Sequence, residues 1–383
     1  MPAVMFGLVV MAVLGVASLR VSSDEQRSVQ AFRESSSALF AAEAGLRKTI
    51  GAWPTSVATM SSGDSVDLGW LALSNGTTYR AVIHRVDFAA TLPVYSIVVQ
   101  GRGRGVQGGQ RLLQAVIAAQ PLYKYAVYAL QNITMGSNQI VDGFNSGTGT
   151  YNALTAEHTA DLVALGNITL GPTTVKGAVT AGGTATNTTL VTQSVIDGAT
   201  NIPTYSTVNC PSTGYTAASS IPSGTGISYN QSTGQLSLTS TANLILTGTQ
   251  YYFSSISITG QAKLTVSPGT GHVDMFIGNG LNIAGGGIAN TAGKADQLTV
   301  SACGNPTSPS TWHLTGGTDA YYSLYAPNHD VQIGGTSDMY GAVVGQNVTF
   351  NGTGRMHYDA ALLNNSATTL VLVPGSWAEL AQQ

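Results

Sequence analysis

A four-residue pattern, polar or glycine then apolar then polar then apolar, recurs through the last two thirds of the chain. It starts at Asn132, Asn167, Gln235, Asn243, Lys263, Gly280, Gln297, Asp330 and Asn347, and glycine often follows closely. Alternation with period two gives a strand an apolar face and a wet face. Units this short cannot each build a core, so they must stack on one another. Near the C-terminus Val331, Met339, Val348 and Met356 fall eight to nine residues apart. Two or three such strands make one solenoid coil of roughly twenty residues. The expected architecture is a parallel β-helix with apolar residues inward, polar residues in water and glycine at the corners. A β-sandwich is the competitor, and more than a dozen strands this short suit a solenoid better.

The repeat lapses over about 184–233, where Pro203, Pro211 and Pro222 sit among many Ser and Thr. This reads as a long excursion from the solenoid. It holds Cys210, and the only other cysteine is Cys303. In an exported chain the two either form one disulfide closing a long loop, tethering the excursion, or remain thiols; the sequence leaves both open.

The N-terminus has a different texture. Residues 1–19 are almost unbroken apolar, and the run ends at Arg20. As a helix they span about 28 Å at 1.5 Å per residue, close to a bilayer core. No basic n-region or small-residue cleavage site precedes Arg20, so a retained helix is expected rather than a cleaved signal peptide. Val4, Phe6, Leu8, Val9, Val10, Val13, Leu14, Val16 and Leu19 are its packing surface. Beyond Arg20 the helical pattern continues to about Trp53. Phe32, Leu39, Leu46 and Trp53 recur every seven residues as an apolar stripe, and Gly51 and Pro54 stop the helix. Strands are expected over 77–86, 94–101 and 110–119, an antiparallel meander that covers the stripe.

Charge separates the two parts. Charged residues are 9% of the chain, against about 25% in ordinary soluble proteins. Residues 126–383 carry only 4 Lys/Arg against 11 Asp/Glu. That leaves almost nothing with which to grip phosphate, which excludes a nucleic-acid partner. It also leaves too few cations for a lyase neutralising a uronate. A hydrolase needs paired carboxylates. Asp319, Asp330, Asp338 and Asp359 recur on late coils, and their ordinary role is at solvated turns. His357 and Asp359, two apart in a strand, share a face and read as a structural pair holding the last coils. The 142–147 segment offers calcium too few carboxylates. The Asn-x-Thr triplets at Asn132, Asn167, Asn187, Asn347 and Asn351 match glycosylation acceptors but read mostly as products of the repeat. No catalytic residue, cofactor or metal is expected.

Several motifs resemble a known family. Ala42-Glu43-Ala44-Gly45-Leu46-Arg47, preceded by Ala31-Phe32-Arg33 and Phe40-Ala41, resembles the N-terminal stem of PilX-type minor pilins of the type IV pilus system. The terminal Ser376-Trp377-Ala378-Glu379-Leu380 is similar to the close of such proteins. Leu324-Tyr325-Ala326-Pro327-Asn328 and Met356-His357-Tyr358-Asp359-Ala360-Ala361-Leu362 resemble an uncharacterised β-solenoid domain that follows PilX-like stems. Two departures stand out: the fifth residue is Met5 where major pilins carry Glu, and no basic leader is visible before Met1. PilX-like stems often lack that Glu. The printed chain is therefore expected to be already mature or to start upstream.

The resulting expectation is a mainly β protein. A pilin-like helix spans 1–52, with 1–19 in the membrane or filament core. A small antiparallel sheet over 53–122 completes the stem, and a β-solenoid head spans 123–383. The resemblance implies a structural subunit of a type IV pilus or related filament; a head much larger than the stem would crowd a uniform shaft, so a minor subunit at the tip or at sparse positions is expected, displaying the head for adhesion. Its implied partners are other pilin subunits, the inner membrane before assembly, the assembly machinery and prepilin peptidase, and a glycan or cell-surface ligand. A type II secretion pseudopilin and a surface carbohydrate-active enzyme are the alternatives.

Overall fold

The computed structural model describes residues 2–51, 53–54, 56–57, 60–86, 93–104, 109–136, 138–200, 202, 205, 207–211, 221–269, 271–304, 310–364, 368–373 and 375–380, with the side chains of 2–10, 12–23, 120, 364 and 368–371 outside that description. The chain forms two compact units. One comprises 1–120 and 370–383, the other 121–369.

In the first unit a single helix, α1 (Pro2–Gly51), packs on an antiparallel sheet. Its strands are β1 (Ser65–Ala72), β2 (Thr78–Arg85), β3 (Val94–Arg102) and β4 (Gln110–Pro121), paired in that order. Alternate residues of β2 to β4 bury against the helix: Tyr79, Ala81 and Ile83, then Tyr95, Ile97 and Val99, then Leu113, Ala115 and Ile117. β1 is largely exposed, which is why its sequence carries no clear alternation.

The helix face that meets this sheet differs from the expected stripe. Ala38, Ala41, Ala42 and Leu46 are buried, Leu39 and Trp53 are partly buried, and Phe32 is 73% exposed. The buried row follows helical spacing, but its members are mostly small. That matters because the backbones approach closely. A Cβ on Gly101 of β3 would lie 2.1 Å from the Ala38 carbonyl oxygen, and one on Gly45 would lie 2.5 Å from the Tyr79 ring. The seven-residue row of large side chains runs beside this seam and only Leu46 enters it fully.

The C-terminus also differs from expectation. Residues 370–383 belong to the first unit, where the sequence placed them in the head. Ala378–Leu380 pairs antiparallel with the 112–114 stretch of β4. Ser376 Oγ accepts from the Val116 amide at 3.0 Å, and Glu379 meets Arg111 Nη1 at 2.9 Å. The Ser-Trp-Ala-Glu-Leu motif thus closes the sheet.

The second unit is a parallel β-helix whose coils stack in register. One buried ladder runs Val300, Leu324, Val343, Val127, Leu162, Val179. A second runs Trp312, Val331, Val348, Ile133, Ile168. A third runs Met339, Met356, Val141, Val175. In all three, a residue near 350 is followed by one near 130. The last coil in sequence stacks on the first.

The chain therefore enters and leaves the solenoid in its middle. Met356–Asp359 supplies one side of a coil, and Val127–Ala129 with Ile133–Met135 supply the other two. From there the chain climbs to Val195–Ile196, then restarts at the opposite end with Ile227–Asn230, which pairs antiparallel with Gln235–Leu238. The excursion is shorter than expected, because 185–186 and 195–196 still form coil strands.

The returning segment is fastened along the way. Gly198 and Ala199 donate to the Gly183 and Ala181 carbonyls. Tyr205 packs edge-on to Tyr128 at 4.4 Å and to Tyr325 at 6.2 Å, touching both halves. Val208 bridges to Cys303, and Cys210 is disulfide-bonded to Cys303.

Two outcomes follow from this packing. Gly101→Ala should destabilise the protein by about 1–3 kcal/mol, because a backbone carbonyl cannot move aside as a side chain can. Gly51→Ala, with open space around its Cβ, should be neutral or better in the same urea titration. The disulfide spans 93 residues, for which chain entropy gives an upper figure of about 4–5 kcal/mol. Cys210→Ser with Cys303→Ser should lower stability by about 2–4 kcal/mol and should open the 207–211 stretch to limited proteolysis.

Candidate functional site

Chemistry-bearing side chains gather where the two halves of the solenoid meet. The register places Tyr321, Tyr340, His357 and Asp142 in one row across four successive coils. His357 and Asp142 come from opposite ends of the unit's sequence, yet both are buried. His357 Nδ1 lies 2.5 Å from Asp142 Oδ1, and Nε2 lies 3.4 Å from Asp338 Oδ2 without hydrogen-bond alignment. The Tyr151 hydroxyl donates to Asp142 Oδ2 at 3.0 Å, and Lys176 Nζ stands 3.8 Å from the same oxygen. The Tyr151 and Tyr340 rings pack on the imidazole at 3.9 and 4.7 Å between centroids.

This geometry is a clamp. A general base needs one ring nitrogen open to substrate. Here both nitrogens face carboxylates and two phenol rings cover the imidazole. A metal would need ligands converging on one point, whereas Asp142 and Asp338 lie at opposite nitrogens of the ring. Among the described residues no group of three or more His, Cys, Asp or Glu could hold a metal.

Burial by itself depresses a histidine, but the hydrogen bond to Asp142 and the Asp338 carboxylate prevail and hold His357 above its usual value. Asp338 is lowered despite its own desolvation, through His357 and the Arg355 amide.

The other residues singled out in the sequence mostly bind coil to coil. Asp359 does not meet His357; its Oδ1 accepts from the Ser146 and Ala361 amides at 2.9 and 3.1 Å. Asp338 accepts from the Arg355 amide and Asp319 from the Asp338 amide. Asp330 accepts from Asn347 Nδ2 at 2.8 Å. Asn347, Asn132 and Asn167 continue this line: Asn132 donates to Asn347 Oδ1, and its own Oδ1 accepts from the Asn167 amide. Asn167 Oδ1 accepts from the Thr184 amide. Three of the Asn-x-Thr triplets therefore start on residues committed to stacking. The four aspartates are spent in the same way.

A polar cleft of 190 Å³ lies in the excursion that follows the buried Phe144, walled by Asn145, Thr148, Thr150, Asn152, Thr155 and Glu157. Phe144 and Asn145 belong to the 142–147 segment weighed for calcium in the sequence; the rest of the lining carries no motif.

On the stem, Val29, Phe32 and Phe40 leave large apolar surfaces exposed on α1, and so does Met11 nearer its start. The side chains of Val4, Phe6, Leu8, Val9, Val10, Val13, Leu14, Val16 and Leu19 lie outside the described residues, although their backbone is helical. Among the described residues no helix is long and apolar enough to cross a membrane.

Residues 253–365 match a family model described as "Domain of unknown function (DUF7305)", a stretch that includes the 324–328 and 356–362 motifs. No curated protein matches the chain. Among solved structures, the competence-associated pilin ComZ from Thermus thermophilus is similar over 91% of this chain and 98% of that chain, at 14% identity and a TM-score of 0.29.

The clamp predicts a pH dependence. With its folded value raised, His357 stabilises the fold fully below the unfolded value of about 6.5. That stability is lost as pH rises through the raised folded value. His272, raised by its hydrogen bond to Asp274, acts with the same sign, so the informative readout is a difference between proteins. His357→Gln should cost about 3 kcal/mol at pH 6, since it strips a buried carboxylate of its partner. Its melting temperature should then fall less than that of the parent between pH 6 and pH 9.

Proposed function

We propose that this chain is a non-enzymatic structural subunit of a type IV pilus or related extracellular filament. The observation that carries this reading is α1. It is one helix of 50 residues, about 75 Å long. A small sheet covers one face of its C-terminal part, while Val29, Phe32 and Phe40 stay exposed and an apolar run precedes them. A helix that is apolar at one end and sheathed at the other suits transfer from lipid to a bundle of like helices. The apolar surface then moves from acyl chains to neighbouring subunits without meeting water.

The partners in this reading are other pilin subunits through α1, the inner membrane before assembly, and the assembly machinery with prepilin peptidase. The head, residues 121–369, is larger than the stem and would crowd a uniform shaft. A minor subunit at the tip or at sparse positions follows, with the head displayed for adhesion to a glycan or cell surface. Asp142, Asp319, Asp330, Asp338, Asp359 and His357 are engaged in holding coils together, which supports a displayed scaffold over a catalyst.

Immunogold electron microscopy of sheared filaments, with an antibody to the head, tests this. Gold at filament tips or scattered along shafts is expected. Gold confined to cell bodies, with bare filaments, would overturn it.

A further inference from the structure

We propose that the cleft in the 145–157 excursion binds a neutral carbohydrate ring; this rests on the reading of the head as a displayed binding unit and names its ligand class. The excursion is not needed to build the coil. Between the same two sides of the next coil the chain passes from Val175 to Val179, whereas here it takes the long way from Phe144 to Leu162. Long loops in a compact repeat are commonly functional.

The loop is also held still. Gly143 and Glu157 exchange two backbone hydrogen bonds, at 3.0 and 2.6 Å. The Ser146 amide is fixed by the buried Asp359, and Tyr151 by Asp142 and the His357 ring. A site fixed before binding loses little entropy when it is filled.

The lining selects the ligand. The cleft holds 190 Å³, less than the roughly 300–1,000 Å³ of sites for drug-sized molecules, so it suits a single ring or the end of a chain. Glu157 is its one charged group, and no Lys or Arg lines it, which rejects phosphates and uronates. A calcium ion asks for six to eight oxygens with several carboxylates. Here there is one carboxylate, and the Asn145 and Asn152 side-chain oxygens already accept from the Gly147 and Leu154 amides. A purely apolar ligand would strand hydroxyls and amides. A neutral polyol satisfies all of these conditions. Glu157 accepts two ring hydroxyls, the asparagine amide groups donate, and Thr150 does either.

Saturation-transfer NMR on the purified full-length chain tests this, using the methyl glycosides of glucose, galactose, mannose, N-acetylglucosamine and N-acetylgalactosamine. Transfer to at least one glycoside is expected. It should weaken about tenfold in Glu157→Ala and in Thr150→Val, both exposed positions, with unchanged thermal melts. Transfer to none of the five, or transfer unchanged in both variants, would overturn the proposal. So would calcium binding that Glu157→Ala abolishes in a chain that ignores every glycoside. The assay is independent of assembly. Failure here leaves gold on filaments untouched, and bare filaments would leave saturation transfer untouched.

Discussion

The structure depends on the register between the last and first coils of the solenoid. In a parallel β-helix, a strand's hydrogen bonds run to the coils above and below it. A coil assembled from two distant pieces of chain therefore has to be matched residue for residue. Val343 with Val127, Val348 with Ile133, and Met356 with Val141 provide the apolar part of that match. The polar part is the row of Asn347 on Asn132 and His357 on Asp142. Apolar ladders alone would tolerate a slip by one coil, because each coil offers similar Val, Ile and Leu. The buried His357–Asp142 pair exists at one level only. A slipped register leaves both groups charged or polar and unpartnered in the interior, at a cost of several kcal/mol. Its role is specificity of stacking more than net stability.

This explains which parts of the fold were legible in the sequence. Period-two alternation is a local property, so the strands and the solenoid class could be read directly. The stacking order could not. Every coil carries the same pattern, and nothing local in Val343 says that its neighbour is Val127. Strands of two residues, such as 185–186 and 195–196, carry too little alternation to see, which made the excursion look longer than it is. In the stem large side chains give the strongest periodic signal, and so the pattern assigns Phe32 to a face built instead from Ala38, Ala41, Ala42 and Gly45. Close backbone approach selects small residues, and small residues are a weak signal. At the clamp, His357 was conspicuous as a histidine in a strand, but its partner lies 215 residues away and only the register brings it near. The cleft was invisible for the reverse reason: its Thr and Asn match the composition of the whole head.

The joined middle of the solenoid has a further consequence for chain path. The first unit is split in sequence: β4 ends where the head begins, and Ala378–Leu380 returns to pair with β4. The head is thus an insertion within a sheet. An ordinary solenoid enters at one end and leaves at the other, which would separate the two connections by its full length. Here the entering and leaving segments are held together. The Tyr358 hydroxyl donates to the Tyr123 carbonyl at 2.8 Å, with the Lys124 carbonyl at 3.2 Å. The returning strap, fixed by Tyr205 and the Cys210–Cys303 bond, is what makes this path achievable, since it carries the chain from one end of the stack to the other. A repeat that cannot place its ends together cannot be inserted into a sheet without breaking it. The composite coil solves that problem, and the buried clamp and the strap keep it closed.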